Sequence, residues 1–188
     1  EAARILTQFY TELRQEDLLT FNPGNILGGT KVTFDDQAKT GTAFGKDNII
    51  AETALVTGDI RAISEVQLNR VKTKMQAIVA ASYPHTSGVI EFSEGYPAMA
   101  PTAGNKRLLE IYSGVSQDLG FGEVTAVNPL RAGAADVSFT ADYVDMAIDA
   151  LGLGSNKGHT AEETGDLATL PTQTKRAAIL LLRLQNAH

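Results

Sequence analysis

The chain has 188 residues with a formal net charge of -6, and 43% of them are hydrophobic against 20% charged. Those proportions suit a globular chain of one medium domain or two small ones. They argue against a nucleic-acid backbone as partner, which requires clustered Lys and Arg. No cysteine is present, which excludes disulfides, thiolate metal sites and a cysteine nucleophile together while leaving the compartment open. The longest apolar run, Ala177 to Leu182, falls far short of the roughly 20 residues that span a bilayer, so no membrane partner is expected.

Ile5, Leu6, Phe9 and Leu13 recur at helical spacing and predict an amphipathic helix to about residue 15. The chain opens directly into that rhythm with no Ser, Thr, Asp or Asn ahead as a cap. It therefore reads as the continuation of a longer polypeptide, with any localisation signal lying ahead of it. Between Leu18 and Ile63, Gly, Thr and Asn punctuate β-favouring runs at Leu19 to Phe21, Lys31 to Phe34 and Ala51 to Ile63. Asp35, Asp36 and Gly41 supply turn chemistry between them. Ser64 followed by Gln67 is a capping-box pattern opening a second helix, whose stripe is Leu68, Val71, Met75, Ile78 and Val79. Pro84 closes it, and Gly88 to Phe92 reads as a strand. The order helix, strand, strand, helix, strand is that of a ferredoxin-like βαββαβ unit short of its first strand.

Glu94 to Asn105, with two prolines and two glycines, reads as a linker. A helix from about Lys106 to Leu119 follows, stopped by Gly120 and Gly122. Glu123 to Val127 suggests a short strand, residues 133–144 a loop leading into a short helix, and Met146 to Leu151 a buried strand. A glycine loop spans residues 152–158. Pro171 marks the first turn of a last helix that is apolar nearly all round and expected to be well buried. The fold class is therefore α/β, with an α+β first domain at residues 1–97 and an α/β segment at residues 98–188.

His159 ends the glycine loop after an apparent buried strand, where α/β folds place ligands, and imidazole is a common zinc ligand. On local sequence alone a loop histidine bonded to a neighbouring carboxylate is the more frequent case. The loop also suggests a phosphate cradle, but Lys157 precedes Gly158 where a P-loop needs Gly-Lys-Ser/Thr. Asp136 has the ordinary alternative of a cap or turn former. Ser138 lacks a nucleophile elbow. His85 and the terminal His188 suit solvent.

Three stretches resemble, in order and spacing, the glutamate carboxypeptidase, acetylornithine deacetylase and succinyl-diaminopimelate desuccinylase family of co-catalytic zinc metallopeptidases. GAADVSFTADYVDMAIDALGLGSNKGHTAEE is similar to the family's Gly-Gly-Ser-Asp-Gly-Asn-Phe-Thr-Ala stretch, strand, glycine loop and His. Asp136, Phe139, Thr140, Ala141 and His159 match, with Glu162 and Glu163 in the acidic places. EGYPAMAPTAGNKRLLEIY resembles the linker from lid to catalytic domain, and KDNIIAETALVTGDIR the Asn-Val-Ile-Pro motif and following strand.

The resemblance implies a ferredoxin-like lid that mediates homodimerisation, joined to the last part of a catalytic domain that holds two zinc ions in the complete family enzyme. It implies His159 as a zinc ligand, Asn48 reaching the substrate from the lid, and Gly154, Ser155, Asn156 and Gly158 contacting the substrate backbone. The substrate class implied is a peptide or an N-acyl amino acid, cleaved at its amide by zinc-activated water. Catalytic residues proper (a His-x-Asp pair, a bridging Asp, a Glu-Glu pair and a lid His) have no match in these residues, so no activity is expected of the chain alone. Tyr96 stands where family carboxypeptidases often carry an Arg, and Arg61 is the nearest lid arginine, which weakens any expectation of C-terminal carboxylate recognition. Ala134, Ala135 and Val137 replace positions that are often Gly or Ser. The alternatives are a non-catalytic dimerisation or binding module of the same descent, and a phosphate- or nucleotide-binding α/β domain.

Overall fold

A computed structural model describes residues 1–186, so His188 lies outside the described residues. It contains two compact units, Glu1–Ala98 and Met99–His188. In the first, α1 (Ala2–Leu13) buries Phe9 and Leu13 and has no side-chain cap at Glu1. Strand β1 (Thr20–Gly29) pairs antiparallel with β4 (Thr53–Arg61), and a hairpin of β2 (Lys31–Asp35) and β3 (Thr40–Phe44) separates them in sequence. Gly41, expected in a turn, lies inside β3. A Cβ there would sit 2.4 Å from Leu27 Cδ1 and 2.6 Å from the Thr33 carbonyl oxygen, so the close approach of backbone and side chain demands glycine. The β1–β4 ladder shifts register between Pro23 and Asn25.

Helix α2 (Glu65–Ala80) begins at the expected cap: the Gln67 amide donates to Ser64 Oγ at 3.2 Å. Gln67 Oε1 accepts from the Ile63 amide at 2.9 Å and its Nε2 donates to the Asp17 carbonyl at 2.8 Å. A buried glutamine thus ties the helix start to the segment that follows α1, with its polar groups satisfied. The core of this unit is Phe9, Leu13, Val71, Met75, Ile78 and Val79, flanked by Phe21 and Ile60 from the sheet and by Ile90 and Phe92. This mixed α/β unit is consistent with a ferredoxin-like domain.

Glu16 fastens the helices from outside the core. Arg70 donates to it through Nε at 3.1 Å and Nη2 at 2.5 Å, and Lys74 Nζ at 3.2 Å. The Arg70 hydrogen bond, with Lys74 and Gln67 adding to it, draws the Glu16 carboxyl down to about 2 from 4.5. A depressed carboxylate contributes stability above its unfolded value and loses it as pH falls through its folded value. The first unit should therefore weaken as pH drops from about 4.5 toward about 2. Glu16→Gln should remove part of that slope and cost about 1 kcal/mol at neutral pH, checked by urea unfolding across the pH range.

The second unit is built on α3 (Ala103–Asp118) and α4 (Leu170–Gln185). Thr102 Oγ1 caps α3 by accepting from the Asn105 amide at 3.1 Å. The far end closes as a Schellman turn, with the Phe121 amide on the Ser116 carbonyl, the Gly120 amide on that of Gln117, both at 2.9 Å, and Gly120 at φ 77°. Leu108, Tyr112, Val115 and Leu180 form the core. Ser116, fully buried, donates to the Gly122 carbonyl at 2.6 Å and accepts from Arg176 Nε at 3.0 Å, which locks α4 to α3.

Three expectations fail here. Residues 123–127 and 146–151 form no ladder among the described residues, and α4 is not well buried. Leu180 alone of α4 is buried, while Leu181 and Leu182 are 63% and 53% exposed. Strand patterning needs a neighbouring strand and an apolar helix needs a second covering layer, and among its described residues this unit has two long helices, three short 3-10 turns and one small hairpin.

Candidate functional site

The glycine loop is a hairpin. Gly154–Asn156 (β5) pairs antiparallel with Thr164–Asp166 (β6), matching Gly154 to Asp166, Ser155 to Gly165 and Asn156 to Thr164. Thr169 Oγ1 accepts from the Gly154 amide at 2.7 Å, and Gln173 Nε2 donates to the Gly152 carbonyl at 2.8 Å, so the hairpin base is anchored to the start of α4.

His159 sits in the connection between these strands and is exposed. Its φ of 65° and that of Lys157, 55°, lie in the left-handed region that side chains rarely adopt. Local bonds hold the turn. Thr160 Oγ1 donates to the Lys157 carbonyl at 2.8 Å, Lys157 pairs with Glu162, and the His159 amide donates to Glu163 Oε2 at 3.3 Å. The carboxylate beside His159 thus engages its backbone.

Asn48 lies in the first unit on an exposed loop between β3 and β4. That loop is pinned by the Ile49 amide on the Lys46 carbonyl and the Glu52 amide on that of Gly29. Ile50, two residues on, is 93% exposed. Four of the five residues assigned to substrate, Gly154, Ser155, Asn156 and Gly158, share one hairpin with His159. Asn48 belongs to a separate compact unit.

A shallow recess of about 260 Å³ opens beside Gly154, lined by Ala168, Thr169, Thr172, Gln173 and Arg176. Arg176 is already engaged there. Its Nε bonds Ser116, its Nη1 the Gln173 side chain, its Nη2 the Phe121 carbonyl, and the guanidinium lies 5.5 Å over the Phe121 ring. Sequence reading gave this arginine no role. Its signal was only one of three basic residues, with Lys175 and Arg183, in an otherwise uncharged helix, which separates structural from functional arginines poorly.

Asp136 starts a 3-10 turn, Asp136–Thr140, which buries Ser138. Ser138 Oγ has no hydrogen-bond partner among the described residues, an orphaned donor of the kind proteins rarely leave.

A zinc ion takes three or four protein donors at about 2 Å. Among the described residues no group of three His, Asp or Glu side chains could hold a metal ion. The donor set around His159 therefore does not fit a zinc centre by itself, and no chemical step is assigned to one. No helix among the described residues is long and apolar enough to cross a membrane.

Comparison with known proteins gives one family match: residues 1–87 fit the peptidase dimerisation domain, M20_dimer. No curated protein matches the chain. The matched residues are those that build α1, the β1–β4 sheet, the β2–β3 hairpin and α2.

Proposed function

We propose that this chain serves a zinc-dependent amide hydrolase of the carboxypeptidase and deacylase class as its dimerising lid, residues 1–97, and as a segment of its catalytic domain, residues 98–188. The observation that carries this reading is the match of residues 1–87 to a peptidase dimerisation domain. The GAADVSFTA and GLGSNKGHTAEE stretches extend it to the second unit by resemblance. In this reading His159 donates to zinc, and Asn48, Gly154, Ser155, Asn156 and Gly158 hold a peptide or N-acyl amino acid. Zinc, when bound, supplies an activated water for attack on the amide carbonyl. The chain's own part is different: the hairpin turn presents an exposed imidazole, and the β5 backbone offers amides and carbonyls to an extended substrate.

A single histidine with no second donor cannot retain catalytic zinc. The chain alone is therefore expected to bind zinc no tighter than about millimolar, an affinity of about 4 kcal/mol, and to hydrolyse neither acetylated amino acids nor dipeptides. Calorimetric zinc titration and an amide-hydrolysis assay check both, and zinc-dependent turnover by the chain alone would sink the reading. Light scattering should give twice the chain mass. The absence of any metal-capable cluster among the described residues favours a second reading, a non-catalytic dimerisation module of the same descent. Adding the complementary catalytic residues as a separate polypeptide distinguishes the two, because only the hydrolase reading expects activity to appear.

A further inference from the structure

Two prolines restrict the stretch that joins the two units. Pro97 and Pro101 fix their own φ, and each holds the residue before it, Tyr96 or Ala100, in an extended conformation. Between residues 96 and 101 that leaves Ala98 and Met99 without proline restriction, and the chain divides into its two compact units between these same residues. Upstream, Ile90 and Phe92 pack on the core of the first unit. Ser93 to Tyr96 are exposed, and Pro97 to Ala100 are half-buried. A Cβ on Gly95 would meet nothing within 4 Å.

Side chains from both units take hold of this stretch. Glu65, the first residue of α2, accepts a hydrogen bond from the Ala98 amide through Oε1 at 2.8 Å. A carboxylate acceptor makes this the stronger, charge-assisted kind of bond. Glu65 is nevertheless exposed, so water competes for its oxygens and the bond can open without unfolding the unit. From the other side, Asn105 Nδ2 donates to the Ala100 carbonyl at 3.0 Å, and the Thr102 amide donates to the same oxygen at 2.9 Å. Asn105 is itself fixed. Its Oδ1 accepts from the Ala147 amide at 2.8 Å, and its own amide donates to Thr102 Oγ1 at 3.1 Å. Ala98 is thus tied to the first unit and Ala100 to the second, with Met99 between the two anchors.

We propose that residues 93–98 form a strap latched to the first unit by Glu65, which confines the pivot between the two units to Met99. With the latch closed, one residue carries the turning freedom of the connection. With it open, that freedom extends back to Ser93, seven residues in all. Glu65 therefore sets the working length of the connection, and a shorter connection raises the effective concentration of each unit at the other. The inference stands on the linker geometry and does not depend on the hydrolase reading.

Limited proteolysis of the full chain reads the latch, because cleavage follows the population of the opened strap. A glutamate-specific protease cuts after Glu94 and elastase after Ala98, and mass spectrometry follows each bond separately. Glu65→Ala should raise both rates about fivefold, the effect of losing one exposed hydrogen bond. Cleavage after Glu162 and Glu163, in the second unit, should stay unchanged and serves as the internal control. Glu65→Gln keeps the Oε1 acceptor and should cut at the wild-type rate. Asn105→Asp loses the donor to Ala100 but keeps the acceptor for Ala147. It should speed cleavage after Ala98 and leave the bond after Glu94 alone. An unchanged rate after Glu94 in Glu65→Ala overturns the latch. Equal increases in Glu65→Ala and Glu65→Gln also overturn it, because the effect would then belong to the lost charge at the start of α2. An Asn105→Asp chain that opens the Glu94 bond as far as the Ala98 bond overturns the confinement of the pivot to Met99.

Discussion

Leu13→Ala should destabilise the Glu1–Ala98 unit by about 3 kcal/mol, the middle of the range for emptying a well-packed leucine site. Leu13 is 1% exposed and closes the C-terminal end of α1 on Val71 and Met75 of α2. Removing three carbons there loses both transfer free energy and packing contacts, and the cavity cannot collapse because Glu16, Arg70 and Gln67 hold the helices at a fixed spacing. The measurement is urea unfolding followed by hydrogen exchange, with the protection lost chiefly at α2 amides. Leu181→Ala is the comparison. That leucine is 63% exposed, and the change should stay within about 0.5 kcal/mol. Equal losses for the two would mean that α4 is covered in solution.

Gly104→Ala and Gly114→Ala should act in opposite directions although both lie in α3. A Cβ at Gly104 would come 2.0 Å from the Asp145 carbonyl oxygen and 3.2 Å from Met146 Cβ. The contact is with backbone, so relief requires moving residues 145–147, which Asn105 Oδ1 holds through the Ala147 amide at 2.8 Å. The expected cost is about 3 kcal/mol, since overpacking of this kind outweighs the gain of about 1 kcal/mol from replacing glycine in a helix. At Gly114 the nearest atom to a new Cβ is Arg183 Nη1 at 3.6 Å, an ordinary contact. There the propensity term stands alone and should raise stability by up to about 1 kcal/mol. Thermal unfolding of both variants checks the sign. A neutral Gly104→Ala would mean that residues 145–147 move without cost.

The elements legible in the sequence are those whose signal is local. The Ser64–Gln67 cap, the α1 and α2 stripes, Gly120 as a stop and Pro171 in the first turn of α4 all depend on groups within a few residues of one another. Local chemistry also singled out the glycine loop, in which Lys157 and His159 take left-handed φ values.

What local patterning could not supply was partnership. Apolar runs at 123–127 and 146–151 have strand composition without a ladder, and Gly41 has turn composition inside one. In each case the outcome depends on what lies across from the residue. Ile90 and Phe92 show this most clearly: alternation along residues 88–92 fixes which side chains turn inward, while hydrogen bonding depends on a neighbour.

The same limit governs the candidate site. The residue types at His159, Gly154 and Asn156 were readable because glycine freedom and imidazole chemistry are properties of single residues. That they share one hairpin, with the carboxylate of Glu163 engaging the His159 backbone, only the folded chain decided. Sequence by itself therefore determined the existence of the four helices, the Ser64 cap of α2 and the identity of the chemical groups, while the start of α3 at Ala103, capped by Thr102, fell inside the expected linker. Tertiary structure decided which of those groups meet, because contacts between distant residues depend on loop closure and packing that no short window encodes.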